Sequence, residues 1–495
     1  MWKWIWPRVG STPISQNTDS EMFDRTDYPY TETFVREAIQ NTLDARLDPA
    51  RPAVISFKFH RGSAAAVRDF VGEAIDLRRQ AALRVPSEWD RGEIDWLCIE
   101  DFNTKGLDGD LGDRLGNFWN YWLNFGLSNK DGHGRGGRGI GRVTFLIASR
   151  VQTVLGITRR MVDDVTAASG MVLLRAMRTR EGLRSTHAYL AAAENQEHSI
   201  FRLHDGKAFH SAVVQAFKLA GYTNSPNTSG LALAIPYPHE ELTPDGILAS
   251  SIEHFAPAIL NGSLIVRVDD HLLDRGHIDA IAASVAERMN TGWLSEDVGR
   301  YLSLIRSAQH VKPQILDVDI KKDLTSLRDR PEVIRLQKAL ASEQTVVFAL
   351  RFALTRGAAT RKVILTIAAA RTPESLRPID RLFREGMSLP DVKSNSPGEI
   401  DAVILVDDDE LATYLNFCEG KAHLDLLESK EVRAKLEEKG YRPLVSVKRF
   451  VKSLPAEMRK LLTPDITEPE IDVFDAFFSL PDTDAGKRKA KSSAT

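Results

Sequence analysis

Three segments of this chain carry residues whose types and spacing could do chemistry. In FVREAIQNTLDA (34–45) the polar residues Glu37, Asn41 and Asp44 fall within roughly 60° of one another on a helical wheel, and Phe34, Val35, Ala38, Ile39, Leu43 and Leu47 fill the remaining arc. That stripe faces either solvent or a pocket. In IEDFNTKGLDGD (99–110), Asp101 follows an apolar run at a turn, where a carboxylate can accept a hydrogen bond from an exocyclic amine. Gly106 in the same turn allows backbone to approach a flat ring. In GRGGRGIGR, Gly134, Gly136, Gly137, Gly139 and Gly141 lie within eight residues. Such a loop exposes N–H groups that can wrap phosphate oxygens, with Arg138 and Arg142 adding charge and the helix expected over RVTFLIAS adding its positive end.

Periodicity indicates the elements that must position these groups. A helix is expected from Thr31 to Leu47, stopped by Asp48-Pro49. AVISFKFH (53–60) alternates as a strand, with Ile55, Phe57 and Phe59 on one side, and IDWLCIE (94–100) is a continuous apolar run of strand length. Residues 63–84 are helical in composition, and NFWNYWLNFG (117–126) is an aromatic helix or turn. Further strands are expected in RVQTVLGITRR, GMVLLRAMRT and GLALAIPYP. HEELTPDG reads as a linker or turn near residue 240. Beyond it come a helix, the strand SLIVRV, a helical stretch over about 275–310, paired strands across TRGAAT, the strand DAVILVDD, and helices over much of 409–463. The layout is α+β, two units in series, with no repeat at solenoid periods.

Bulk properties narrow the class. The chain has 495 residues, 43% hydrophobic and 27% charged, with net charge −3. It can bury a sizeable interior, and no global pull towards nucleic acid or anionic membrane follows. Cys98 and Cys418 are the only cysteines, which excludes a disulfide framework and points to a reducing cytoplasm. No run approaches the roughly 20 apolar residues of a membrane helix, and MWKWIWPRVG lacks the apolar length of a signal peptide.

Competing motifs fail on context. GRGGRG satisfies G-x-G-x-x-G but follows a polar loop instead of a strand. In GGRGIGRV, Arg142 and Val143 occupy the lysine and hydroxyl positions a P-loop needs. The histidines show no metal-ligand spacing.

Taken in order, the acid/amide helix, the Asp turn and the Gly-rich loop resemble the GHKL ATPase superfamily of gyrase B, MutL, histidine kinases and the MORC proteins. Its first motif, E-x-x-x-N-x-x-D-A, is matched by Glu37, Asn41, Asp44 and Ala45, and its G-x-x-G-x-G lid by Gly136, Gly137, Arg138, Gly139, Ile140, Gly141 and Arg142. The resemblance spans roughly residues 30–240. It implies ATP and Mg²⁺ as cofactors, Glu37 as the general base that activates water, Asn41 as the Mg²⁺ ligand, Asp44 in support, and Asp101 as the reader of adenine. It also places Asn103, Gly106, Lys130, Gly134, Thr228 and Ser229 around the nucleotide.

Two departures stand out. The usual D-x-G-x-G has Asn103 in place of its first glycine, with Gly106 one residue late, and the fourth motif lacks its Gly-Thr order in NTSGLALAIP. An acid at position 37 favours the hydrolysing branch over histidine kinases, and His60, at a strand end, is taken as structural. The resemblance implies residues 1–245 as an ATP-binding α/β sandwich with an N-terminal arm and 246–480 as an α+β transducer-like unit; by composition, 481–495 is expected to be a disordered basic tail. A transducer lysine is expected at the γ-phosphate, with Lys312 and Lys362 as candidates. The implied assembly is a homodimer acting on DNA or on a partner nuclease, helicase or methylase. NFGLSNKDG and ELATYLNFCEGKAH are similar to MORC- and MutL-related ATPases of bacterial restriction and anti-phage systems. A nucleotide-gated interaction module without hydrolysis uses the same pocket and remains the alternative.

Overall fold

The computed structural model describes residues 2–9, 29–110, 117–122, 141–192, 207–219, 230–289, 292–393, 399–420 and 423–463. The chain is α+β, built on two large sheets. The first has nine strands: β1 (Trp2–Ile5), β2 (Ala53–Ser63), β3 (Glu93–Phe102), β4 (Thr153–Arg159), β5 (Thr166–Leu173), β8 (His187–Ala192), β9 (Gly230–Pro236), β10 (Leu264–Val268) and β11 (His271–Leu273), in the order β1-β8-β5-β4-β9-β3-β2-β10-β11. A separate small hairpin joins β6 (Met177–Thr179) to β7 (Gly182–Arg184). All neighbours in the large sheet pair antiparallel except β2 and β10.

Helices cover both faces of this sheet, which explains why β3 reads as an unbroken apolar run. Leu97 and Ile99 face one core with Phe34, Val35, Ala38 and Ile39 of helix α1 (Tyr30–Asp44). Trp96 and Cys98 face the other core with Phe70 of α2 (Arg68–Gln80) and Phe217 of α6 (Lys207–Phe217). The alternation expected in β2 holds, with Ile55 and Phe57 buried and Phe59 packed beside them. His60 stacks on Trp96 with ring centroids 5.1 Å apart. The aromatic arm is an edge strand of its own sheet: β1 pairs with β8, and Trp4 Nε1 donates to the Phe70 carbonyl at 2.7 Å.

HEELTPDG forms the turn and cap that open α7 (Pro244–Leu260). Thr243 Oγ1 accepts from Gly246 N, and Pro244 takes the first helical position. The junction expected at 245/246 therefore falls on this cap. The first sheet continues past it to Leu273, and the strands of the second begin at Gln314. α7 is apolar and buried nearly all round because its far side carries the second unit. Pro257 lacks the N–H that would reach the Glu253 carbonyl, and the Tyr301 hydroxyl donates there at 2.7 Å. The stretch over 275–310 contains two helices, Ile278–Met289 and Gly292–His310.

The second sheet has seven strands: β12 (Gln314–Asp317), β13 (Val346–Arg356), β14 (Ala359–Arg371), β15 (Asp380–Arg384), β16 (Met387–Ser388), β17 (Ile400–Val406) and β18 (Tyr441–Arg442). Its order is β12-β13-β14-β17-β15-β16, with β18 on β13. β13 and β14 are the antiparallel pair expected across TRGAAT. The β15–β16 turn lies directly on α7: a Cβ on Gly386 would stand 2.9 Å from that of Ala258. Phe383 and Met387 thus join the core of the first unit. Among the described residues, no helix is long and apolar enough to cross a membrane. Both cysteines are buried free thiols, and burial pushes the Cys418 thiol up to about 12.

Candidate functional site

The polar stripe of α1 is the part of that helix its core leaves uncovered: Glu37, Asn41 and Asp44 are half-buried, whereas Phe34, Val35 and Ile39 are fully enclosed. Within the stripe, Asn41 Nδ2 donates to Glu37 Oε1 at 2.8 Å. The pairing is local, because residues four apart share a helix face. Each i→i+4 partner holds the other's rotamer.

The end of α1 is tied to the Asp101 turn by main-chain bonds. Leu47 N donates to the Asn103 carbonyl and Lys105 N to the Ala45 carbonyl, both at 2.8 Å, and Arg46 bridges Thr104. Two segments some 60 residues apart in sequence thereby become one wall. Asp101 is the penultimate residue of β3, and its Oδ1 accepts from Thr104 Oγ1 and Leu231 N, each at 2.6 Å. Burial raises its pKa, those two hydrogen bonds oppose the rise, and the net position is about 6. Gly230, the residue ahead of Leu231, belongs to this arrangement: a Cβ there would sit 2.1 Å from the Asp101 carbonyl oxygen. Thr104, Leu231 and Gly230 were not picked out from the sequence as partners of Asp101. The only local signal was the glycine opening an apolar strand.

Two residues of this turn make specific contacts within the fold. The Asn103 side chain bonds the loop after α1. Its Nδ2 donates to the carbonyls of Asp48, Arg51 and Pro52 at 3.0–3.1 Å, and its Oδ1 accepts from Asp48 N. The residue is a clamp on the loop after α1, helped by its left-handed backbone at φ 59°. Gly106 was expected to let backbone approach a ring. Within the fold its close approach is to β4, where a Cβ would meet the Arg159 carbonyl at 2.5 Å. Leu107 N donates to Thr158 Oγ1 and Arg160 Nη1 to the Leu107 carbonyl, which latches the turn in place.

Helix α5 (Gly141–Ile147) follows the Gly-rich loop as expected and packs on α1, with Tyr30 donating to the Thr144 carbonyl and Phe145 edge-on to Phe34. Arg142 lies in its first turn. Lys130, Gly134, Gly136, Gly137, Arg138, Gly139, Ile140, Thr228, Ser229 and the basic tail lie outside the described residues.

The second unit brings charge to α1 through residues that sequence reasoning did not single out. Arg384 is fully enclosed and forks onto Glu419, with Nη2–Oε2 at 2.9 Å and a second, shorter bond from Nε, while Nη1 reaches Glu385 at 2.7 Å. The charge of Asp44 acts on this guanidinium. Burial would raise the Glu419 pKa, but the adjacent Arg384 and a bond to His423 Nδ1 hold it down at about 2. Of the two lysine candidates, Lys362 pairs with Asp317 at 3.5 Å on an exposed stretch of β14. It stands six residues, or about 20 Å, from Ala368, which reaches the shared core. Lys312 is exposed just after a helix end.

Glu32, Glu253 and His254 bring donor atoms within 4.8 Å of one another. Arg381 already pairs with Glu253 at 3.1 Å and Arg36 with His254 at 3.1 Å, so the group is neutralised by guanidinium. Asn41 is a different case. With its nitrogen turned to Glu37, its amide oxygen is the atom that can meet a cation, and an oxygen donor beside carboxylates suits a hard divalent ion.

No protein-family model matches the chain, nor does any curated protein. Among solved structures it is similar to the ATPase region of Saccharomyces cerevisiae topoisomerase II bound to dexrazoxane, at 10% identity over 87% of this chain and 86% of that one, with a TM-score of 0.36. The ATPase region of the same yeast enzyme in another structure gives 10%, 87%, 86% and 0.35. The ATPase and transducer domains of Balamuthia mandrillaris DNA topoisomerase II give 8%, 88%, 85% and 0.36.

Proposed function

We propose that the chain binds Mg²⁺–ATP against α1 and hydrolyses it slowly, as a GHKL-type ATPase. The observation that carries this is the Asn41–Glu37 bond at 2.8 Å on the uncovered stripe of a helix tied by main chain to the Asp101 turn. In this reading Glu37 orients a water for in-line attack on the γ-phosphate and accepts its proton. Asn41 fixes the Glu37 rotamer through its nitrogen and offers its oxygen to magnesium. Magnesium held there would supply charge neutralisation to the triphosphate. Asp101 accepts the adenine amine, Asp44 and Ala45 line the site, and the segment Gly134–Gly141 with Lys130, Arg138, Arg142, Thr228 and Ser229 encloses the phosphates. The output is nucleotide-gated pairing of two copies in the cytoplasm, acting on DNA or on a partner nuclease, helicase or methylase. The MORC- and MutL-related ATPases of bacterial restriction and anti-phage systems, which the sequence resembles, suggest that setting.

Calorimetric titration with a non-hydrolysable ATP analogue tests the site. Binding is expected to need Mg²⁺ and to weaken at least about tenfold in Asn41→Ala, the loss of a charge-assisted contact. Asp101 adds a pH signature. Its Oδ1 is already occupied, so a proton taken up would sit on Oδ2, the oxygen left for the amine. The carboxylate form holds above pH about 6. Affinity should therefore be level above that point and fall by up to about tenfold per pH unit below it. Asp101→Asn should flatten the profile. An affinity indifferent to Asp101→Asn and to acid contradicts the adenine assignment. Sedimentation of the same samples reads the pairing: a doubled mass with analogue is expected, and an unchanged mass speaks against it.

A further inference from the structure

α1 carries a second polar stripe that the proposed chemistry does not use. Arg36 lies about 100° round the helix from Glu37 and is only 3% exposed. Its guanidinium reaches three separate places. Nη1 donates to His254 Nδ1 at 3.1 Å, on α7, and to Ser388 Oγ at 3.0 Å, on β16. Nη2 donates to the His423 carbonyl at 2.6 Å. A guanidinium only donates, so His254 Nδ1 accepts, and its proton sits on Nε2, which lies 3.3 Å from Glu32 Oε2. The Ser388 hydroxyl, which accepts from Arg36, in turn donates a hydrogen bond to Nδ1 at 2.7 Å. The segments Arg36 grips are themselves anchored. His423 bonds Glu419 at 2.6 Å, and Glu419 is the partner of buried Arg384, four residues ahead of Ser388.

This fork cannot slip without losing several bonds together. Displacement of the second unit must break it or carry α1 along. Rotating α1 by about 10° would shift a side chain 5–6 Å from its axis by about 1 Å, and a misplacement of that size can cost about 100-fold in rate.

We propose that Arg36 is a positioning residue: it locks α1 to the second unit, so the placement of that unit sets the geometry of Glu37 and Asn41. This rests on the ATPase reading above. Arg36 touches no nucleotide; it transmits the state of β16 and the His423 loop to the helix that does.

The test uses the full chain and measures kcat beside the Mg²⁺-dependent affinity for a non-hydrolysable ATP analogue. Arg36→Lys keeps the charge but replaces the planar fork with one ammonium. It is expected to lower kcat about tenfold or more and to change analogue affinity less than about threefold. Ser388→Ala, in the other unit, is expected to lower kcat about threefold, the scale of one neutral hydrogen bond. The Arg36→Lys/Ser388→Ala pair should fall no further than Arg36→Lys alone, because Ser388 acts through Arg36. Wild-type kcat in Arg36→Lys overturns the proposal, as do independent, multiplying losses in the pair. Parallel loss of affinity, kcat and unfolding midpoint also overturns it, since that marks a merely structural role. If the unaltered protein neither binds nor turns over ATP, the nucleotide site itself has failed, and the role of Arg36 falls with it.

Discussion

Glu37→Gln is expected to cut ATP turnover by roughly 10²- to 10⁴-fold, the usual contribution of a positioned general base, while Mg²⁺–ATP affinity stays within about threefold. Glutamine keeps the length of the side chain and an oxygen that can still accept from Asn41 Nδ2, as Glu37 Oε1 does at 2.8 Å. What it loses is the capacity to take a proton. Single-turnover phosphate release measured beside equilibrium binding separates these two quantities. Turnover that persists in Glu37→Gln removes Glu37 from the base role. Binding without turnover in the unaltered protein, tested with its partners, favours a nucleotide-gated module that does not hydrolyse.

Arg384→Met is expected to destabilise the chain by about 3–5 kcal/mol, because it leaves the Glu419 carboxylate buried without its cation. Glu419 is 4% exposed, and both its oxygens are bonded to the Arg384 fork. Removing both charges in Arg384→Met/Glu419→Leu should recover much of the loss, since a well-packed apolar pair avoids both desolvation penalties. Denaturant midpoints at a series of pH values check the sign. The native Glu419 pKa is depressed to about 2 from an ordinary 4.5. Its contribution is therefore complete above about 4.5 and is lost as pH falls towards 2. The deficit of Arg384→Met should accordingly narrow in acid. A deficit below about 1 kcal/mol at neutral pH would place the pair with ordinary surface ion pairs. Because Glu419 also holds His423, whose carbonyl accepts from Arg36, the same variant should slow turnover.

What was legible in the sequence follows from how local each cause is. Glu37, Asn41 and Asp44 declare their shared face through helical period alone, and the Glu37–Asn41 bond spans only four residues. β2, β3 and the β13–β14 hairpin were likewise visible, as alternation, as an apolar run and as two runs about a turn. Arg36 was not visible. Beside Glu37 it reads as a surface cation, yet it is buried, because its partners lie 218, 352 and 387 residues away. Asn103 follows Asp101 closely enough to look like a ligand. Its amide turns to the loop at 48–52, where the carbonyls of Asp48, Arg51 and Pro52 accept from it. HEELTPDG reads as a linker or turn because a proline and an N-capping threonine mark a helix start and a domain break alike. Only the parallel pairing of β10 with β2 shows that the first sheet continues beyond it.

The most direct measurement is a crystal structure of the chain with Mg²⁺ and a non-hydrolysable ATP analogue. The triphosphate and its magnesium are predicted beside the Asn41 amide oxygen, with Glu37 facing the γ-phosphate and the adenine amine on Asp101. Nucleotide bound elsewhere, with nothing beside Asn41, would contradict the account.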